Sequence, residues 1–287
     1  MTQPRTLGLV ARFPFGYFFN TVLFGVQAVA RQHQLNVLVI QGTAESVAAT
    51  QIARDQVDAW LVMSNGGDAN ALLRQGKPTI TIGMRTAPLH CSAVLPDNSG
   101  GIEAAMQHLA AHGHEQIAFV GWTELGDIQE RYEGYQAALA QRGQALDLKR
   151  VVFASDTSME AGKRAVQTLI ERGMPCTAIV AATDLNALGI MQALQQAGYS
   201  VPGDVAVIGF DDVPLAQSVK PSLSTIRQSF EQLGIAAAQQ ALAELAAPAK
   251  PQIIFTPVQF LPRQSCGCQI SAHIELAEGD SADEQEW

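Results

Sequence analysis

No run of lysine or arginine occurs anywhere in the 287 residues, and acidic side chains outnumber basic ones, 27 to 18, for a formal net charge of −9. A domain that grips nucleic-acid phosphates by itself carries a basic patch, so tight nucleic-acid binding by this chain alone is not expected. Charged residues make up only 16% of the chain, and long polar tracts are absent before its last residues, which argues against extensive disorder. No apolar run reaches the roughly 18 residues that a membrane helix needs. The opening residues 1–5 lead into an apolar run at 7–11 that breaks at Arg12 and Pro14, so no secretory signal is read there. A cytoplasmic protein without a membrane partner is expected. Enzyme signatures are also missing: there is no glycine-rich phosphate loop, no Gly-x-Ser-x-Gly elbow and no metal-spaced histidine cluster. His33, His90, His108, His112, His114 and His273 are scattered or lie at one helix end. Neither catalysis nor a cofactor is expected. Cysteine is scarce too. Cys91 and Cys176 are isolated, and the pair Cys266-Gly267-Cys268 supplies only two ligands, too few for a closed zinc site. It reads as reduced thiols near a chain end, with no metal site.

What is present is a 47% share of hydrophobic residues arranged in a repeating rhythm. Strand-like runs at 7–11, 35–40, 59–63, 78–82 and 93–95 alternate with helical segments at 19–32, 44–54 and 70–75. The rhythm then restarts, with helices at 100–112, 129–142, 159–172 and 184–197, each followed by a glycine (Gly113, Gly143, Gly173, Gly198), and strands at 116–121, 151–154, 178–182 and 205–210. An Ala/Gln-rich helix spans 230–246, and 252–261 is extended. This is the alternation that builds parallel sheets covered on both faces. Its repetition over a chain of this length predicts two similar α/β lobes. The first lobe is expected to comprise 5–97 with about 228–252, and the second 98–227 with about 253–268. The acidic residues 269–287 read as a disordered tail or linker.

Several segments, in order, resemble one family. They are Val94-Leu95-Pro96-Asp97-Asn98-Ser99-Gly100, then His112-Gly113-His114-Glu115-Gln116-Ile117, Arg131-Tyr132-Glu133-Gly134-Tyr135, and Thr183-Asp184 with Ala187-Leu188-Gly189. Val201-Pro202-Gly203-Asp204, Ile208-Gly209-Phe210-Asp211-Asp212 and Pro221-Ser222-Leu223-Ser224-Thr225-Ile226 complete the set. Together these resemble the effector-sensing part of LacI-family regulators, over about residues 5–268. The resemblance implies the type I periplasmic-binding-protein fold: two Rossmann-like lobes with parallel sheets, three crossovers and a ligand cleft between them. It implies a small-molecule effector (a sugar, a sugar derivative or a nucleobase-like compound) and a homodimer. DNA would be reached only through a helix-turn-helix domain absent from this chain, since six residues precede Leu7. The ending Ser265-Cys266-Gly267-Cys268 also resembles LacI-like sensors fused to histidine kinases or diguanylate cyclases, which leaves a signalling protein as an alternative. A transporter's solute-binding protein is a third reading.

Ligands in open α/β sheets sit beyond the carboxyl ends of the strands, and the candidate residues fall at those ends. Arg131 presents a fixed fork of donors suited to hydroxyls or a carboxylate. Asp211 can accept from vicinal hydroxyls. Thr183 and Asp184 start a helix after a strand; Asp184 can serve as ligand contact or cap, and Thr183 stands where the family prefers Asn. Trp122, Phe18 and Phe19 offer aromatic faces, with one of the two phenylalanines expected in the core. Asp97 and Asn98 are expected at the hinge. Gly83 and Thr157 depart from the family pattern, which has Asp and an aromatic ring in many members at those places.

Overall fold

Ala59–Met63 is apolar at every position and buried at every position. A strand of that kind needs cover on both faces, and the fold supplies it twice. The computed structural model describes residues 5–63, 68–124 and 126–268; the acidic stretch 269–287 lies outside the described residues. The first lobe starts with β1 (Thr6–Ala11), α1 (Tyr17–Gln32), β2 (Asn36–Gln41), α2 (Ala44–Ala48), α3 (Gln51–Asp55), β3 (Ala59–Met63), α4 (Asn70–Leu73), β4 (Thr79–Ile82) and β5 (Ser92–Pro96). The chain then enters the second lobe through α5 (Asn98–Ala111), β6 (Ile117–Gly121), α6 (Gly126–Gln141), β7 (Val151–Phe153), α7 (Met159–Glu171), β8 (Ala178–Ala181), α8 (Asp184–Gln196), β9 (Ala206–Asp211), α9 (Pro214–Ser218) and β10 (Ser224–Gln228). It returns to the first lobe with α10 (Phe230–Ala246) and β11 (Ile253–Thr256), and ends in the second with β12 (Val258–Leu261). The sheets run β11-β5-β4-β3-β1-β2 and β12-β10-β9-β8-β6-β7. All pairings are parallel except β10 with β12.

The lobes are therefore joined at Asp97, Ser229 and Pro257. The extended segment 252–261, expected in the second lobe from about 253 onward, is divided. Ile253–Thr256 pairs with β5 in the first sheet, and Val258–Leu261 with β10 in the second. Pro257 has no N–H to give to a ladder, so the strand breaks there and changes sheets. The helix expected over 44–54 is likewise two short ones, parted where the Thr50 hydroxyl donates to the Val47 carbonyl at 2.7 Å. Among the described residues no helix is long and apolar enough to cross a membrane.

In each lobe one pair of helices meets backbone to backbone. A Cβ on Gly25 of α1 would strike the Glu231 carbonyl of α10, and one on Gly234 of α10 would strike the Val22 carbonyl of α1. In the second lobe, Gly162 of α7 lies against the Asn186 carbonyl and Gly189 of α8 against the Met159 carbonyl. Both contacts are reciprocal, and only hydrogen on Cα permits them.

Candidate functional site

The loop after β1 and the first residue of α1 leave their aromatics unburied. Phe13, Phe15 and Tyr17 are 51%, 69% and 51% exposed, an unusual cost in apolar surface unless something covers them. They face a cavity of about 570 Å3 between the lobes, within the range of small-molecule sites. The first lobe adds Arg12, Phe18 and Gly83 to its lining, and α10 adds Phe230 and Leu233. The second lobe contributes Trp122, Asp127, Arg131, Thr157, Thr183, Leu185, Asp211 and Gln228. The strands β6, β8, β9 and β10 all reach the cavity at their carboxyl ends.

Arg131 organises the floor. Its side chain is 1% exposed, so it is no surface salt bridge. Nε donates to Asn98 Oδ1 at 2.9 Å, one terminal nitrogen to the Ala182 carbonyl at 2.6 Å, and the other to Asp127 Oδ2 at 3.1 Å. Its guanidinium carbon lies 3.7 Å from the centre of the Phe210 ring, a cation–π contact, and Asp211 Oδ1 is 3.6 Å from Nη1. Asp211 Oδ1 also accepts from Gln228 Nε2 at 2.6 Å. Burial raises the Asp211 carboxyl to about 7, outweighing the lowering by Arg131 and by the Gln228 bond. Asp211 and Asp212 adopt φ of +127° and +57°, values that side-chain-bearing residues seldom take and that concentrate at functional sites. Asp212 is held by Arg227 at 2.7 Å and Arg263 at 2.6 Å. Asp127 Oδ1 is buried without a hydrogen-bond partner, and its residue lines the cavity. Between the lobes, Arg85 of the first pairs with Glu130 of α6 at 3.0 Å.

The structure brings Phe18, Trp122, Arg131, Thr183 and Asp211 to the cavity; Phe19 is the one of the two phenylalanines that goes to the core, and Asp184 is removed from the candidates. Phe19 is buried in the first-lobe core, in one cluster with Val22 and Val26; it points away because successive helical residues face different directions. Asp184 is fully buried and does not line the cavity. Its Oδ2 accepts from the Val213 N–H at 2.9 Å and its Oδ1 from the Thr225 hydroxyl at 2.5 Å, so it ties α8 to β10 and to the loop after β9. Burial is the main cause that raises its pKa. The cap of α8 is Thr183, whose hydroxyl accepts from the Asn186 N–H at 3.2 Å. Thr183→Ala is expected to cost about 1 kcal/mol of stability and Thr183→Ser to restore it, as read from chemical denaturation. Asp97 lies between the sheets, capping α5 through Gly100 N–H and donating its own N–H to the Thr256 carbonyl at 3.0 Å. Asn98 links Arg131 to Glu130, to which its amide donates at 2.9 Å.

Sequence reading missed Arg12, Phe13, Phe15, Tyr17, Asp127, Gln228 and Phe230. Asp127 had a signal, standing four residues before Arg131 in a helix. So did the aromatic cluster, in a chain only 6% aromatic. Gln228 had none, because Ser224–Gln228 holds a single apolar residue, Ile226, and so carries no strand pattern.

Residues 106–266 match the profile of the periplasmic binding protein-like domain family. The HTH-type transcriptional regulator MalR of Streptomyces coelicolor is 30% identical over 249 residues, 80% of this chain and 72% of that one. GalR of Escherichia coli, another HTH-type transcriptional regulator, is 30% identical over 264 residues, 88% and 76% of the two chains. A LacI family transcriptional regulator from Enterococcus faecium, solved with bound ribose, superposes with a TM-score of 0.79 at 25% identity, covering 91% of this chain and 98% of that one.

Proposed function

The chain belongs to the LacI family of transcriptional regulators, and from that premise we propose that its interlobe cavity senses a small polyhydroxylated effector, a sugar or close sugar derivative. The observation that carries the reading is the polar floor: a buried guanidinium with the carboxylates of Asp127 and Asp211 beside it, one oxygen of Asp127 unsatisfied, facing the aromatic loop of the other lobe. Vicinal hydroxyls donate to carboxylates and accept from guanidinium, while the C–H face of a sugar ring packs on aromatic carbon. With Gly83 and Thr157 offering less than the family pattern, recognition falls chiefly on Arg131, Asp127 and Asp211. The ribose of the Enterococcus faecium relative supports the same ligand class. Effector binding then closes the lobes, shifts a homodimer and controls an attached DNA-binding domain; family membership supports that part.

A thermal-shift screen of sugars, sugar phosphates, purines and amino acids tests the ligand class. A ligand at a hundred times its dissociation constant stabilises by about 2.7 kcal/mol. The Asp211 carboxyl titrates at a raised value because burial favours its neutral form. A hydroxyl that donates to it favours the ionised form. Affinity is therefore expected to rise from pH 5 towards pH 7, by at most about tenfold per unit, and then to level off. The free protein shows the opposite sign: the proton held by Asp211 favours folding below the ordinary carboxylate range, and that contribution is lost as pH rises through the folded pKa. Sugar hits with this pH profile, lost in Asp211→Asn, support the proposal. Hits confined to amino acids or purines would sink it.

A further inference from the structure

The sequence separates His108 and His112 from Cys266 and Cys268 by more than 150 positions, yet the fold gathers all four at the far end of α5. The two histidines stand one helical turn apart, so both rings leave the same face; their centroids are 4.4 Å apart. After β12 the chain makes a single 3-10 turn, Gln264–Cys266, followed by Gly267 at φ +90°. Only glycine takes that conformation readily, and it returns Cys268 towards α5. His108 Nε2 lies 3.2 Å from Cys266 Sγ and 3.5 Å from Cys268 Sγ, and Cys268 Sγ lies 3.7 Å from His112 Nε2. Ligand atoms of His108, His112 and Cys268 all fall within 4.8 Å of one another, while Cys266 Sγ reaches the group through His108 and donates to the Arg263 carbonyl at 3.3 Å.

Those three nitrogen–sulfur separations have the size of edges of a tetrahedral coordination shell. Zinc sits about 2.3 Å from thiolate sulfur and about 2.0–2.1 Å from imidazole nitrogen. A regular tetrahedron built on such arms has nitrogen–sulfur edges of about 3.6 Å, and the three observed edges lie on both sides of that value. Two sulfurs with two imidazoles is also the donor set that selects zinc over hard cations such as magnesium or calcium. The Phe260 ring, 4.7 Å from the His108 ring, screens one flank with apolar carbon.

We propose that His108, His112 and Cys268, joined by Cys266 when its thiol leaves the Arg263 carbonyl, form a binding site for a thiolate- and imidazole-preferring divalent cation of the zinc type. Coordination exchanges two cysteine S–H bonds for two sulfur–metal bonds and releases up to two protons to solvent; no electron is transferred. The site is separate from the interlobe cavity, none of whose lining residues it shares. Its occupancy fastens the last described segment of the second lobe to α5, the helix that opens at the Asp97 crossover.

The test uses the full chain, reduced and stripped with a chelator, then titrated with cobalt(II) or zinc alone. One equivalent is expected to bind, with cobalt giving the thiolate charge-transfer absorption and the visible bands of a tetrahedral site, displaced by zinc. Cys268→Ser and His112→Ala change partly or fully exposed side chains and are expected to keep the metal-free melting curve while losing the cobalt spectrum. Failure of the reduced protein to retain an equivalent overturns the proposal. So does retention undiminished in both variants, or a Cys266–Cys268 disulfide as the stable form under reducing conditions.

Discussion

Arg131→Ala is expected to lower the unfolding free energy by about 3–5 kcal/mol, the usual cost of removing one partner from a buried ion pair, and to abolish ligand-induced stabilisation. The reason is the number of groups that depend on this one cation. Without it, Asp127 keeps its carboxylate with no cation beside it, Asp211 is left with only its Gln228 bond and favours its neutral form still more, and the Ala182 carbonyl and Asn98 Oδ1 lose their donors. Phe210 loses the guanidinium stacked on its ring. The melting temperature should fall by on the order of 10 °C. Arg131→Lys keeps the charge but cannot reproduce a planar fork directed at three separate acceptors, so it should fall between wild type and alanine. A melt of Arg131→Ala within about 2 °C of wild type would show that water or rearranged neighbours can replace the side chain.

Gly189→Ala is expected to cost about 3 kcal/mol or more, although alanine is intrinsically better than glycine in a helix by about 1 kcal/mol. The added methyl group would meet the Met159 carbonyl, which is backbone and cannot rotate away. The helices α7 and α8 must separate, and the reciprocal contact of Gly162 with the Asn186 carbonyl is strained with it. Overpacking of this kind typically costs 1–3 kcal/mol, and a backbone obstacle places it at the upper end. Urea denaturation measures it. A stabilised Gly189→Ala protein would mean that the helices slide apart at little cost. The Ala187-Leu188-Gly189 motif, read in the sequence as a mark of resemblance, thus has a packing cause.

Much of the fold was legible because its strands are short apolar runs and its helices end in glycines. Gly113, Gly143, Gly173 and Gly198 all take positive φ just past a helix, the conformation that makes glycine a stop signal. The return of α10 to the first lobe was expected, whereas the division of the extended segment at Pro257 was not, since periodicity does not show which sheet a strand joins. Asp184 misled because a carboxylate at a helix start fits a cap, a ligand contact and a buried tether equally well; only the neighbours Thr225 and Val213, 41 and 29 residues away, decide it. The four metal-type donors escaped because the histidines and cysteines are brought together by the packing of α5 against β12 and the turn after it. No local pattern encodes that contact.

The floor of the cavity is also bonded into the segments that join the lobes. Arg131 holds Asn98, the first residue past one crossover, and Asp211 holds Gln228, the last before another. In the proposed closing motion the same two charges therefore face both the effector and the chain that must bend. Affinity and resting posture are then not independent variables. An engineer who rebuilds this pair to accept a new effector also resets the fraction of molecules already closed without one, and the concentration for half-response moves with that fraction even where the intrinsic contacts are equally good. Retargeting such a sensor while keeping its threshold calls for changes at Phe13 and Phe15, which line the cavity and pack on each other, and not at Tyr17, whose ring rests on Phe230 beside the Ser229 crossover.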